Sequence, residues 1–133
     1  MPLQWHQEQL TGLIRSAIMR GVVRGTESIR NEMIRLILET PKTGRVYTRW
    51  GVSHQASAPG EPPASDLGQL VNSIRTSYEP QDLIGIVHVG AKHGEYLEFG
   101  TARMAPRPFA RPAAVNKMPD VTTYIAEEIT KGL

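Results

Sequence analysis

Residues 10–37 read LTGLIRSAIMRGVVRGTESIRNEMIRLI, and this stretch decides the fold. Leu10, Leu13, Ile14, Ala17, Ile18, Val22, Ile29, Met33, Leu36 and Ile37 recur at spacings of three, four and seven, the period of one helix face. Arg15, Arg20, Arg24, Arg30, Arg35, Glu27, Glu32 and Glu39 fall on the opposite face. The rhythm extends over residues 3–40. Gly21 and Gly25 interrupt it, each costing about 1 kcal/mol against Ala in a helix interior. The stretch therefore predicts one long helix with a weak centre, or two helices parting near residues 21–26. Pro41 ends it, because the residue before a proline avoids the helical region.

Working outward, residues 45–50 alternate and are rich in strand formers, which predicts a short strand. Residues 53–65 follow, with Pro59, Gly60, Pro62 and Pro63 near their centre, and the composition denies them regular structure. Residues 51–66 are thus expected to form an extended loop or arm. Residues 67–74 predict a short helix capped by Ser65 or Asp66. Residues 75–78 and 83–90 predict a hairpin turning at 79–82. In its second strand Ile84, Ile86 and His88 share one face, with Leu83, Gly85, Val87 and Val89 on the other, so apolar groups on both faces predict a central strand. Residues 95–99 read as a helical turn stopped by Gly100. A proline-punctuated stretch, residues 106–112, then precedes a closing helix whose stripe is Val121, Tyr124, Ile125 and Ile129. The expected architecture is α+β: a long N-terminal helix and a C-terminal helix packed on one face of a small antiparallel sheet, with a long Pro-rich loop. One domain spans residues 1–133, divided into a helical segment at 1–40, the arm at 51–66 and a core with the closing helix at 67–133.

Composition narrows the chemistry. The chain has 133 residues, a usual length for one domain, and no cysteine, which removes disulfides, thiolate metal sites and thiol nucleophiles together. Its start lacks the basic region and apolar run of a signal peptide. No apolar stretch approaches the roughly 20 residues needed to span a bilayer, so no membrane partner is expected. Net charge is +2, but the cations divide into 11 Arg and 4 Lys, a skew that favours fork-like pairing with carboxylates or phosphates.

No catalytic constellation emerges. His6, His54, His88 and His93 lack the spacing of a zinc-protease helix. The densest set of potential ligands is His93, Glu95 and Glu98, for which a hydrated loop and a salt bridge from Glu98 or Glu95 to Arg103 or Arg107 is the plainer expectation. Gly90, Gly94 and Gly100 do not make a phosphate loop, and no Gly-x-Ser-x-Gly elbow occurs. We therefore expect no catalytic, metal or cofactor site. The arginines of the first helix offer an alternative function, a small nucleic-acid-binding module, although the interleaved glutamates blunt a phosphate-tracking surface.

One region is more specific. Glu95-Tyr96-Leu97-Glu98-Phe99-Gly100-Thr101, then Met104-Ala105-Pro106-Arg107-Pro108-Phe109, then Arg111-Pro112-Ala113, resembles the tail-completion or neck proteins of long-tailed bacteriophages. The upstream Ala56-Ser57-Ala58-Pro59-Gly60-Glu61-Pro62-Pro63 and Gly68-Gln69-Leu70-Val71-Asn72-Ser73-Ile74 are similar to the same family, in the same order. The resemblance implies a structural virion protein, without enzymatic activity, at the head–tail junction or the head-proximal tail end. It implies a ring of identical subunits, with six-fold symmetry expected, around duplex DNA that is not read by sequence. Neighbouring neck, tail-terminator or tail-tube proteins would be its partners, in the virion and in the host cytoplasm during assembly.

The residues themselves have a mechanical reading. Gly100 permits a positive-φ helix stop, with the Glu98 carboxylate and Thr101 hydroxyl tying down freed backbone groups. Pro106, Pro108 and Pro112 stiffen an extended arm. Phe109, beside Arg111, is either an anchor in a neighbour or part of the chain's own core. The expected contact set is Pro59, Gly60, Pro62, Pro63, Glu98, Phe99, Gly100, Thr101, Met104, Pro106, Pro108, Phe109, Arg111 and Pro112.

Overall fold

The computed structural model describes residues 6–63 and 68–132. Its longest element is α1, Gln7–Glu39, a continuous helix of 33 residues, about 50 Å at 1.5 Å per residue. Thr40 turns into extended backbone ahead of Pro41, as the sequence predicts. Gly21 and Gly25 do not weaken the helix into two. They are buried where α4, Ala110–Gly132, crosses α1 antiparallel. A Cβ on Gly21 would lie 2.5 Å from the Ile125 Cα, and one on Gly25 would lie 2.8 Å from the Val121 methyls. With Ala17 fully buried one turn earlier, the three small residues let the two helix backbones approach closely.

Two separate two-stranded sheets replace the single sheet expected. β1, Val46–Arg49, pairs with β2, Val52–Gln55, so the irregular loop begins after residue 55 rather than at 53. A single helical turn, α2 at Gln69–Asn72, leads into β3, and Ile74 is already strand. The proposed caps of that helix, Ser65 and Asp66, lie outside the described residues.

β3, Ile74–Glu79, pairs with β4, Ile84–Val89, across a 3-10 turn at Pro80–Asp82. The register puts Ile74, Thr76 and Tyr78 opposite Val89, Val87 and Gly85, on the side that faces α1. A side chain at Gly85 would overlap the Thr26 hydroxyl, so α1 rests directly on this hairpin. The outer side carries Arg75, Ser77, Ile86 and His88, with Ile84 40% exposed. β4 is therefore an edge strand whose second apolar face meets solvent, not a central one. α4 packs chiefly on α1 rather than on the sheet.

α3, Lys92–Phe99, completes the layer. Met33, Leu36 and Ile37 of α1 join Leu70, Ile74, Phe109 and Ala113 in the main core, ringed by Val87, Val89, Ala91 and Leu97. Phe109 is 1% exposed at its centre.

Candidate functional site

The motif-bearing residues converge on the junction of α3 and α4. α3 stops at Gly100, whose φ of 76° lies in the left-handed region that glycine tolerates best. The chain cannot drift from there. The Thr101 amide donates to the Met104 carbonyl at 2.8 Å, and the Arg103 amide to the Thr101 hydroxyl at 3.2 Å. The Arg107 amide returns to the Leu97 carbonyl at 2.6 Å.

Glu98 then reaches across to the start of α4. Its Oε2 accepts the amides of Phe109 and Ala110 at 2.8 and 2.9 Å, and its Oε1 accepts that of Arg111 at 2.9 Å. A carboxylate at this place satisfies amides that the helix itself leaves without partners, and it meets the positive end of the helix dipole. Glu98 thus ties down backbone groups as expected, but those of a different helix. Among the described residues no salt bridge joins Glu95 or Glu98 to Arg103 or Arg107, and both Glu98 oxygens accept amides instead. α4 begins at Ala110, earlier than the sequence predicts, and takes Pro112 into its first turn, where a missing amide costs little.

The two proline-rich segments brace each other. The Gly60 amide donates to the Pro106 carbonyl at 2.8 Å, and the Arg107 guanidinium to the Ser57 hydroxyl at 3.3 Å. Ser57 is 3% exposed and Pro63 is buried. Glu61 accepts the amides of Thr43 and Ala58 at 3.0 and 2.9 Å, as well as the Thr43 hydroxyl, and these bonds hold its carboxyl below the usual range. Pro59 and Pro106 remain exposed, while Pro62, Met104 and Pro108 are half-buried. Segments expected as free arms are therefore docked within the chain. Of the candidate anchors, Phe109 packs in the chain's own core, whereas Phe99 stands 76% exposed with Tyr96, one turn earlier, 54% exposed.

The arginine face is also internally engaged. Arg20 and Arg24 pair with Glu128 at 3.2 Å, and Arg24 with Glu127 at 3.0 Å while lying 4.3 Å over the Tyr124 ring. Arg30 donates to the Ile74 carbonyl. Glu32, only 6% exposed, takes Arg35 at 3.0 Å and faces Lys117 in the α1–α4 seam. The Arg35 hydrogen bonds hold its carboxyl below the usual range, as the single one from Arg20 does for Glu128. Glu27 accepts the hydroxyls of Tyr78 at 2.7 Å and Thr76 at 2.8 Å, which lowers its pKa and joins α1 to β3.

Chemical groups are sparse. Ser77 and His88 meet at 2.6 Å on the outer face of the hairpin, with no carboxylate orienting the ring among the described residues. Among the described residues no three His, Asp or Glu side chains are placed to hold a metal ion, and no helix is long and apolar enough to cross a membrane.

The sequence reading missed the β1–β2 hairpin. Its signal was present in Trp50-Gly51, a two-residue loop between alternating runs, with φ of 51° and 77° as a primed turn requires. Trp50, at the tip, is 81% exposed. No family model, curated protein or solved structure matches the chain.

Proposed function

We propose that this chain is a structural virion protein of a long-tailed phage, located at the head–tail junction or the head-proximal tail end. Identical copies form a ring, six-fold in our reading, around the DNA path and dock neighbouring neck, tail-terminator or tail-tube proteins. Its role is assembly, without catalysis. The residues that resemble the neck family carry this reading, and one observation supports it in particular. Phe99 and Tyr96 stand in water on a corner braced by Gly100, by Glu98 and by the crossed proline segments. Large apolar rings on a rigid corner gain about 25 cal/mol per Å² when a partner covers them, and little entropy is lost in ordering the corner.

Light scattering coupled to size exclusion, on the purified chain alone and mixed with the products of adjacent genes, tests the proposal. A ring-sized species is expected, alone or with a partner, and Phe99→Ala should shift it toward monomer without lowering the melting temperature. A strict monomer that binds none of those neighbours would defeat the reading.

A further inference from the structure

Over residues 12–26, helix α1 has three separate faces. Ala17, Gly21 and Gly25 meet α4, and Val22 and Thr26 meet β4 at Gly85. Gly12, Ser16, Met19 and Val23, at spacings of four, three and four, share the third face and line a groove of about 890 Å³. Pro80 and Gln81 of the β3–β4 turn and Glu128 of α4 also line it. A Cβ on Gly12 meets nothing within 4 Å, so the groove is open there. Its volume is within the range of about 300–1,000 Å³ for clefts that enclose a drug-sized ligand, so two aromatic side chains fit. Arg20, on its edge, is neutralised by Glu128 at 3.2 Å, and a flat guanidinium is a surface on which rings stack.

The far end of α1 carries the complementary shape. Arg15 donates to the Gln81 carbonyl beside the groove, whereas Phe109 packs on Met33, about 27 Å further along the helix at 1.5 Å per residue. There Phe99 and Tyr96 project, 76% and 54% exposed. A copy therefore cannot fill its own groove. Charge follows shape. Residues 99–119 hold Arg103, Arg107, Arg111 and Lys117 and no carboxylate. Arg107 is turned to Ser57 and Lys117 to Glu32 and Asp120, which leaves Arg103 and Arg111 as the exposed pair. Residues 76–91 are the reverse, with Glu79 and Asp82 and no Lys or Arg. Both carboxylates are exposed and flank the Pro80 and Gln81 side of the groove. Among the described residues none of these four side chains takes part in an ion pair. Glu95 beside Tyr96 and Arg15 in the groove lining are opposite in sign as well.

We infer that the Phe99 and Tyr96 corner of one copy docks in the α1 groove of the next. The rings cover Met19 and Val23, and Arg103 and Arg111 face Glu79 and Asp82. The inference rests on the ring reading and names its contact. A second copy is the occupant because both halves of the contact, matched in shape and in charge, are on this one chain. Corner and groove are different surfaces, so the contact runs head to tail and each pair keeps one free corner and one free groove. Such a contact repeats until its rotation closes, which is how a ring forms. The aromatic pair supplies the affinity, and the charges set the orientation.

Sedimentation velocity on the whole chain over a concentration series, with and without the products of adjacent genes, tests it. Phe99→Ala removes the knob and Gly12→Gln fills the groove. Each should lower the association constant by about tenfold or more without lowering the melting temperature. Mixed together, the two variants should form a dimer and stop there, because the intact corner of one meets the intact groove of the other. Arg103→Glu with Arg111→Glu, and Glu79→Lys with Asp82→Lys, should each assemble poorly alone and assemble when combined. Either charge-reversed copy assembling alone as well as wild type would overturn the inference. So would a Gly12→Gln chain that still assembles while Phe99→Ala does not, an outcome that leaves the ring reading standing. If Gly12→Gln loses a neighbouring gene product but keeps self-association, the groove belongs to that partner and the inference fails. An open filament that both variants dissolve keeps this contact and removes the ring. A strict monomer that binds no neighbour removes both.

Discussion

Glu98, near the end of α3, accepts the backbone amide of Phe109 at 2.8 Å, and with it the next amide and the Arg111 amide. One side chain thus sets where α4 begins and holds Phe109 at the angle that delivers its ring to the core. Glu98→Ala leaves three amides at a half-buried helix start without their acceptor. The loss should be about 1–2 kcal/mol, the range for removing a helix cap, read as a lowered midpoint in urea unfolding. Glu98→Gln keeps one strong acceptor and should fall between. An unchanged midpoint in Glu98→Ala would mean that water replaces the cap at no cost.

Gly21 and Gly25 reverse the ordinary effect of a helix glycine. Alanine usually stabilises such a site by about 0.5–1 kcal/mol through lower backbone entropy in the unfolded chain. At Gly21 the new Cβ would meet the Ile125 backbone, which cannot turn aside as a flexible side chain could. Gly21→Ala should therefore lower the melting temperature, by an overpacking cost of about 1–3 kcal/mol. Gly12→Ala on the same helix meets nothing within 4 Å and should raise it. Both substitutions raising it would show that α1 and α4 sit further apart.

Phe109 distinguishes core from interface. Its ring is 1% exposed among Met33, Leu36, Ile37, Leu70 and Ala113. Phe109→Ala should cost about 3–5 kcal/mol, a large fraction of a small domain's stability, and reduce soluble folded yield. Circular dichroism melts of Phe109→Ala and Phe109→Leu check this; the leucine variant should recover much of the loss. Wild-type melting with impaired assembly would place the ring in a partner instead.

Acid should unfold the chain through four carboxyls. Tyr78 and Thr76 hold Glu27 low, Arg35 holds Glu32, Thr43 holds Glu61 and Arg20 holds Glu128. Each has a folded pKa below its unfolded value, near about 4.3 for a glutamate. The folded state therefore binds fewer protons. Their stabilisation is complete above that value and is lost as pH falls through it toward the depressed folded values. Melting temperature should be flat from neutral pH to about 5 and drop below about 4.3. Glu27→Gln should lower the neutral value and shallow the acid slope. A melting temperature that rises on acidification would contradict this.

Features set within a few residues were legible in the chain's own order. The period of residues 10–37 marks α1, Pro41 marks its end, Gly100 marks the stop of α3, and the alternation around residues 79–82 marks the β3–β4 hairpin. The hairpin at Trp50-Gly51 was just as local, but its tight-turn signal was hidden because tryptophan rarely occupies a left-handed position. The α+β class followed from these elements, since helical and strand periods differ and each segment shows one of them.

Packing between distant segments was not legible. Gly21 and Gly25 look like weak points until α4 lies across them, and their purpose belongs to Ile125 and Val121, about a hundred residues away. Glu98 reads as a partner for a nearby arginine until α4 presents three free amides, which draw a carboxylate at least as strongly as an exposed cation does. The proline segments look like free arms until Gly60 meets Pro106 and Arg107 meets Ser57, and neither hydrogen bond has a counterpart in either segment's composition. What the sequence by itself determined was the elements and their ends, because local backbone preferences fix those. Only the tertiary structure decided which polar groups found each other, which aromatic ring was buried and which remained in water, because those outcomes depend on where distant surfaces meet.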